Sequence, residues 1–541
     1  MALKMTHHPH IRIAASYTAL ALLIMLPMLR PGHILTLDMA FTPHLPMPEV
    51  VSSSYLFRVL LHTLNAVVPA TILEKLLLFT ILIVSGYGMH RLIQYLRLDK
   101  PVAASAYLAG FLYTVNPYTY DRFMAGQYSV LLGYALLPIF CKAYLRLLAK
   151  PTQSHALKLA GWTVLISIVS IHTLGLVAVI GIVAGGLSFW RYRQKSSYKR
   201  QLLKSLAVTA GVFVLASCYW LVPLLFGQGP TATTIQSFGS GDTAAFATVG
   251  SNPLAKAANV VRLQGFWAED RGLFLLPQDQ MPGWGLIVIT LWIIVFLGGK
   301  YLWQSQRKFI VIVFGGSALI ALLLALGMVA LPGFREPQKF VGLVALMYAV
   351  LFSQGITRFA HNYRKQPTKA SAVTAAAFVL CVALTPIMFL GFCGQLSPRH
   401  YPADWQKIDQ KLSSDADSFQ TLFLPWHLYM HFAFAGRIIA NPAESYFEKP
   451  VLVSNDPEFN GASVTSEDPI KQDLGQNILP NASQSANLGE KLAAKRIKYI
   501  IFAKESDAPD YDYLDKQSDL ELIQETDSLK LYRNKAWKEG R

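Results

Sequence analysis

A chain of 541 residues that is 53% hydrophobic and only 15% charged carries far less charge than the roughly 25% of soluble domains, which excludes an ordinary water-soluble enzyme. The formal charge of +16 would suit a nucleic-acid binder, but it is unevenly spread: residues 1–395 hold 31 basic and 10 acidic side chains, whereas residues 396–541 hold 17 and 22. A basic excess confined to the apolar part is the pattern of cytoplasmic loops beside membrane spans, not of a phosphate-binding groove, so no nucleic-acid partner is expected.

Eleven apolar stretches follow one another along the chain. Each is close to the length that a bilayer core of about 30 Å requires of a helix rising about 1.5 Å per residue. They run Ile13 to Leu29, Thr71 to Met89, Val102 to Tyr118, Tyr128 to Leu148, Leu157 to His172, Thr173 to Trp190, Leu206 to Phe226, Gly283 to Trp303, Phe309 to Leu331, Phe340 to Gly355 and Ala370 to Phe392. The first is expected to be a retained helix rather than a cleaved leader, because Arg30-Pro31-Gly32-His33 follows it in place of a small-x-small site. Leu157 to Trp190 is one apolar region of 34 residues, about 51 Å as a single helix. Lys158 before it and Arg191, Arg193, Lys195, Lys199 and Arg200 after it look cytoplasmic, so the chain is expected to cross twice, turning near His172 and Gly175.

With the N-terminus inside, the cytoplasmic segments collect 22 Lys/Arg and a single acid, Asp99, while the external loops collect 9 Lys/Arg and 9 acids. This is the positive-inside pattern, and an odd number of spans puts the tail outside. The expected fold class is therefore a polytopic α-helical membrane protein of about 11 spans with a C-terminal extracytoplasmic α/β domain. Residues 1–395 form the transmembrane part, with external loops at 30–70, 119–127, 227–282 and 332–339, and residues 396–541 form the soluble domain. Its location is the cell membrane, multi-pass, with lipids as partners.

The four cysteines, Cys141, Cys218, Cys381 and Cys393, lie in or beside predicted spans and read as small apolar residues, leaving the tail without a disulfide. No Cys/His spacing suits zinc, so no cofactor is expected and a divalent metal has no support. In the tail, Asp404 to Leu412 and Asn487 to Arg496 read as helices. Gln420 to Leu424, Val451 to Val453 and Lys498 to Phe502 read as strands, and Leu520 to Gln524 with Leu529 to Arg533 as a hairpin.

Few ionisable groups sit on the external side. Asp38, flanked by Leu37 and Met39, is either a turn former or helix N-cap, with Met39 to Phe41 opening a short helix, or a base held at the membrane surface. Asp121 and Arg122 lie among aromatic residues between Asn116 and Gln127. They belong either to an interfacial belt where a helix restarts or to a cavity, where they orient a base or meet an anionic headgroup. Gly227 to Asn252 is rich in Gly, Ser and Thr but lacks a P-loop ending, and serves equally as a lid or a linker. Leu254 to Leu263 suits an interfacial helix with Leu254, Ala258 and Val261 on one face and Arg262 elsewhere. In Pro332-Gly333-Phe334-Arg335-Glu336-Pro337-Gln338-Lys339-Phe340, Arg335 and Lys339 form a phosphate clamp or merely snorkel to headgroups, and Glu336 is placed to orient Arg335.

A family resemblance enters on these residues. An acid in a long first external loop, many spans and an external α/β tail resemble the GT-C glycosyltransferases, which use polyprenyl-phosphate sugars. Leu112-Tyr113-Thr114-Val115-Asn116-Pro117 through Gly126-Gln127 and Leu136-Leu137-Pro138, Val261-Arg262-Leu263-Gln264-Gly265-Phe266-Trp267, the Phe334 to Phe340 run and Ile497-Lys498-Tyr499-Ile500-Ile501 are similar in order to the YfhO-like and arabinofuranosyltransferase-like branch. The resemblance implies sugar transfer, usually inverting, from a polyprenyl-phosphate donor to a glycan or lipid acceptor on the outer face. By position, Asp38 would be the general base, Arg335 and Lys339 would neutralise the departing phosphate, and Arg262 and Arg122 would be lesser candidates for that task. One Asp with no Asp-x-Asp pair departs from a metal-binding pattern. Two other readings fit many spans: a flippase or transporter of lipid-linked saccharides, which would need ionisable groups near the midplane, and a non-catalytic scaffold that binds glycan.

Overall fold

The computed structural model describes residues 9–100, 102–236, 244–329, 331, 333–456, 468–505 and 507–539. Among these, nine helices are long and apolar enough to cross a membrane. In chain order the helices are α1 (Pro9–Met25), α2 (Tyr55–Asn65), α3 (Ala70–Tyr95), α4 (Ala104–Thr114), α5 (Pro117–Met124), α6 (Tyr128–Ala149), α7 (Gln153–Val169), α8 (Ile171–Arg191) and α9 (Ser196–Leu225). Then come α10 (Gly229–Gln236), α11 (Pro253–Val261), α12 (Trp284–Gln304), α13 (Lys308–Ala325), α14 (Val341–Asn362) and α15 (Pro367–Leu384).

Two expected spans are shorter than a bilayer crossing. The stretch from Val102 to Tyr118 forms only the 11-residue α4, because Asn116 caps a new helix: its side chain accepts from Thr119 N at 3.1 Å and Pro117 supplies the first helical position. The next, α7, has 17 residues. The long apolar region splits into two helices as expected, at Ser170, whose backbone is extended, two residues before His172. Gly175 instead lies inside α8, where a Cβ would stand 2.4 Å from the Phe334 ring.

At the centre of the bundle lies α14, almost wholly buried. It crosses α12 closely because both carry glycine at the contact: a Cβ on Gly298 would fall 1.9 Å from Leu351 O, and one on Gly355 2.3 Å from Ile294 O. Small residues let helix backbones approach where lipid gives no hydrophobic drive for association.

The C-terminal domain is built on a five-stranded sheet in the order β4-β1-β5-β7-β6. Its strands are β1 (Gln420–Leu424), β4 (Val451–Leu452), β5 (Ile497–Ala503), β6 (Leu520–Glu525) and β7 (Leu529–Asn534). β1 runs parallel to β4 and β5, and β7 antiparallel to β5 and β6. Side-chain alternation divides two cores: Phe423, Ile501 and Leu531 pack with Trp405 and Ile408 on one face, and Leu422, Ile500 and Tyr532 pack with Leu488 and Leu492 on the other. The expected helices appear as Ala403–Ser413 and the shorter Leu488–Ala493. A second, antiparallel pair, β2 (Tyr429–Phe432) and β3 (Arg437–Ala440), was not among the expected elements.

The first loop is stitched to both bodies. Ile34 N donates to the buried Glu74 of α3 at 3.0 Å. His33 and Arg399 exchange backbone hydrogen bonds of 2.7 and 2.8 Å, Leu37 N donates to Ile438 O at 3.3 Å, and Ala440 N donates to Leu37 O at 2.8 Å. Residue 37 thereby makes a single parallel bridge to Ile439 of β3, and Leu35 enters the core of the C-terminal domain.

Candidate active site

Asp38 stands in a tight turn closed by reciprocal backbone bonds between Thr36 and Met39 of 2.9 and 2.7 Å, with Leu37 at φ 31°. No helix begins after it, so it is not an N-cap; its carboxylate makes its hydrogen bonds with side chains instead. The turn rests on the segment after α5. Asp38 N donates to Ala125 O at 3.0 Å and Thr36 Oγ1 to Met124 O at 2.6 Å. Gly126, at φ +69°, lies so close that a Cβ there would be 2.5 Å from Thr36 O.

Around the carboxylate, solvent reaches Asp38 through a cavity of about 140 Å³ lined also by Phe41, Arg58, Tyr128 and Ser445. Behind it, Gln127 Nε2 donates to Asp38 Oδ2 at 3.2 Å and to Glu336 Oε2 at 3.2 Å. Glu336 is the hub of a buried ion cluster: Arg122 Nη1 donates to its Oε2 at 2.7 Å and to Gln127 Oε1 at 2.6 Å, while Lys339 Nζ lies 3.2 Å from its Oε1. Arg122, Glu336 and Lys339 are only 1%, 5% and 6% exposed. The Arg122 guanidinium is also stacked, 4.3 Å from the Phe266 ring centroid and 5.5 Å from that of Tyr118. On the other side of Asp38, the Tyr429 hydroxyl donates to Oδ1.

These surroundings set the carboxyls apart. The enclosing protein raises Asp38 above the ordinary carboxylate range and the Glu336 charge adds to that, against the hydrogen bonds from Tyr429 and Gln127 and the charge of Lys339. For Glu336, burial alone would raise its pKa, but Lys339, Arg122 and Arg335 together outweigh it and hold the carboxyl well below its usual value. One carboxylate is thus made more basic while its neighbour stays ionised.

Of the remaining expected residues, Asp121 and Arg262 lie apart from this cluster and Arg335 at its edge. Asp121 is buried and raised, first by burial and then by Glu269. Glu269 itself is pushed up to about 7 by burial while accepting from Gly265 N at 2.7 Å and Phe266 N at 3.0 Å. Asp121 therefore faces Glu269 and not Asp38. Arg335 is half-buried with its guanidinium 4.3 Å from the Phe246 ring centroid, and the Glu336 expected to orient it is bonded to Arg122 and Lys339. Arg262 is exposed at the end of α11, and the motif it belongs to approaches the site through Phe266. In that helix Val260, rather than Val261, is the buried apolar residue, and Leu254 is exposed. Pro332, and residues 237–243 of the segment read as lid or linker, lie outside the described residues. Among the described residues no group of three or more His, Cys, Asp or Glu side chains is arranged to hold a metal ion.

Gln127, Tyr429 and Glu269 are the participants that sequence reasoning left without a role. Gln127 stood at the end of a motif already singled out. Glu269 lies two residues past another, and Tyr429 has no local signal at all.

No family model matches the chain, and no curated protein is similar to it. Among solved structures, the chain is similar to the arabinofuranosyltransferase AftD from Mycobacteria, with a TM-score of 0.65 and 16% identity over 97% of this chain and 40% of that one. A mutant of the same protein gives a TM-score of 0.61 and 15% identity, over 96% and 41%. This chain thus spans about two-fifths of the length of the proteins it matches. At that identity the likeness is one of fold: the chain is a polytopic membrane protein with a GT-C-like architecture and a C-terminal sheet domain.

Proposed function

We propose that this protein is a membrane glycosyltransferase of the YfhO-like and arabinofuranosyltransferase-like branch. In this reading it moves a sugar from a polyprenyl-phosphate donor to a hydroxyl of a cell-envelope glycan or lipid, on the outer face of the membrane. The observation that carries the reading is a solvent-reached carboxylate, Asp38, held by Tyr429 and by Gln127, which ties it to the buried Arg122–Glu336–Lys339 cluster.

In the reaction, the acceptor oxygen forms a bond to the anomeric carbon and its proton passes to an Asp38 carboxyl oxygen. The anomeric carbon–oxygen bond to the phosphate breaks, and its electron pair stays on the departing phosphate oxygen. A single displacement inverts the anomeric centre. Arg122, Arg335 and Lys339 surround Glu336, and Lys339 also acts on Asp38. Protonation of Asp38 removes one negative charge beside Lys339 just as the phosphate gains one. Arg335 and Lys339 take the leaving phosphate, and preorganised donors of this kind are worth about 3–4 kcal/mol each in a transition state. Arg122, fully buried, holds Glu336 and Gln127 in place. Asp121 and Arg262 carry no step.

The test is transfer by the purified protein from a panel of radiolabelled polyprenyl-phosphate sugars. Wild type transfers one of them, and Asp38→Asn does not, although it folds and binds lipid as before. Transfer retained by Asp38→Asn would remove the base assignment.

A further inference from the structure

We propose that Tyr429 is a positioning residue for the Asp38 carboxylate, which makes the β2–β3 hairpin of the C-terminal domain part of the catalytic centre. The inference rests on the reading of Asp38 as the base. Its ground is the way the two oxygens are held: Tyr429 donates to Oδ1 from the C-terminal domain, and Gln127 donates to Oδ2 at 3.2 Å from the membrane bundle. Pinned at both oxygens from opposite sides, the carboxylate is fixed in rotation, and each oxygen keeps a lone pair for the cavity. A reacting proton therefore meets an acceptor of set direction.

The hairpin fixes the tyrosine as firmly as the base. Tyr429 pairs with Ala440 across the hairpin, and Ala440 N donates to Leu37 O, the residue before Asp38. One strand pairing and one backbone hydrogen bond thus set the spacing between phenol and carboxylate. The ring itself packs with Ile438 against Leu37, Ala125, Phe246, Phe266 and Trp267, so the loop after α9, the segment after α5 and the hairpin all hold it in one orientation. A tyrosine serving only to fill this apolar patch would not need its hydroxyl on the one solvent-reached carboxylate of the cluster.

The groups that face Asp38 are Gln127, Glu336 and Lys339 from the bundle, Arg58 of α2 and Tyr128 of α6 across the cavity, and Tyr429 from the hairpin. Of the neutral ones, Tyr429 and Gln127 are those that donate to the carboxylate, and such bonds favour its ionised form. Tyr429→Phe keeps the ring and removes only this donor.

The experiment follows Asp38 directly, with the full-length protein in lipid nanodiscs. The protonated-carboxyl infrared band that disappears in Asp38→Asn is titrated with pH in wild type and in Tyr429→Phe, alongside thermal unfolding and, once a donor is known, kcat and KM. Tyr429→Phe is expected to move the Asp38 midpoint upward by about one pH unit. It should lower kcat about tenfold, leave KM for the donor unchanged, and unfold within about 2 °C of wild type. If Tyr429→Phe unfolds, 3,5-difluorotyrosine at position 429, a more acidic phenol in the same shape, should move the midpoint downward. An unmoved midpoint in a folded Tyr429→Phe or difluorotyrosine protein overturns the inference while leaving the base intact. A transfer-competent Asp38→Asn instead overturns the base, whatever Tyr429 does.

Discussion

Charge is expensive next to a bilayer, and that expense is what made individual residues conspicuous. Asp38, Arg122, Glu336 and Lys339 could be singled out because the outer loops hold so few ionisable side chains; in the structure all four meet in one hydrogen-bonded network. Gln127 and Tyr429 escaped the same filter because a neutral amide or phenol carries no such cost, and Tyr429 is one of 24 tyrosines. The hub, Glu336, is the residue whose removal should cost most in stability. Glu336→Gln strands two buried cations, and losing one partner of a buried pair costs about 3–5 kcal/mol, measurable as a large fall in unfolding temperature. The pH dependence has a definite sign. Glu336 is held below its unfolded value of about 4.3, so its contribution is complete above that pH and is lost as pH falls through the folded value. Wild type should therefore lose stability on acidification below about pH 4 by a component that Glu336→Gln lacks. Arg335 sits at the edge of the cluster and is half-buried, so Arg335→Gln should leave the fold intact. It should lower kcat/KM for the donor about 100-fold or more, the loss of one preorganised donor to the leaving phosphate, and an unchanged kcat/KM would remove it from phosphate binding.

At the scale of elements, the site depends on one tight junction, where the segment between α5 and α6 meets the Asp38 turn. Gly126→Ala puts an L-residue at φ +69° and a Cβ 2.5 Å from Thr36 O. The conformational part costs about 1–2 kcal/mol, whereas displacing a base by about 1 Å costs roughly 100-fold in rate. Transfer should thus fall about 100-fold in protein that still folds, and unchanged transfer by the folded variant would mean the junction is merely structural. Elements were legible from sequence wherever apolar periodicity was strong: the sheet strands of the tail appear within a residue or two of expectation. They were less so where a cap overrides hydropathy. The break at Asn116 converts one expected span into α4 and α5, since a side-chain cap and a following proline end a helix regardless of how apolar its flanks are. The β2–β3 hairpin had no comparable signal, because its pairing is completed by residue 37.

For the whole molecule, the charge distribution orients what the fold leaves symmetric. In the orientation we propose from the basic loops, the N-terminus and the Arg191–Arg200 cluster lie in the cytoplasm and Asp38 with the C-terminal domain outside. With the exposed Cys218 and Cys393 replaced by serine, Lys407→Cys should react with a membrane-impermeant maleimide in intact cells. Lys195→Cys should react only after permeabilisation, and the reverse pattern would invert the topology. Asp38 and the hairpin must in any case lie on one side, because the backbone bridge at Leu37 joins them.

That joint also dictates when the Asp38 turn is completed during synthesis. Arg437, which bonds Thr36 Oγ1, follows it by 401 residues. At about 5–20 residues per second, ribosomes need roughly 20–80 s to make that length. Throughout that interval the Asp38 turn is already translated but lacks its hairpin. A chain that ends after α15 but before β3 would hold all its long helices and an Asp38 turn without its hairpin, so under the proposed function it should be inert.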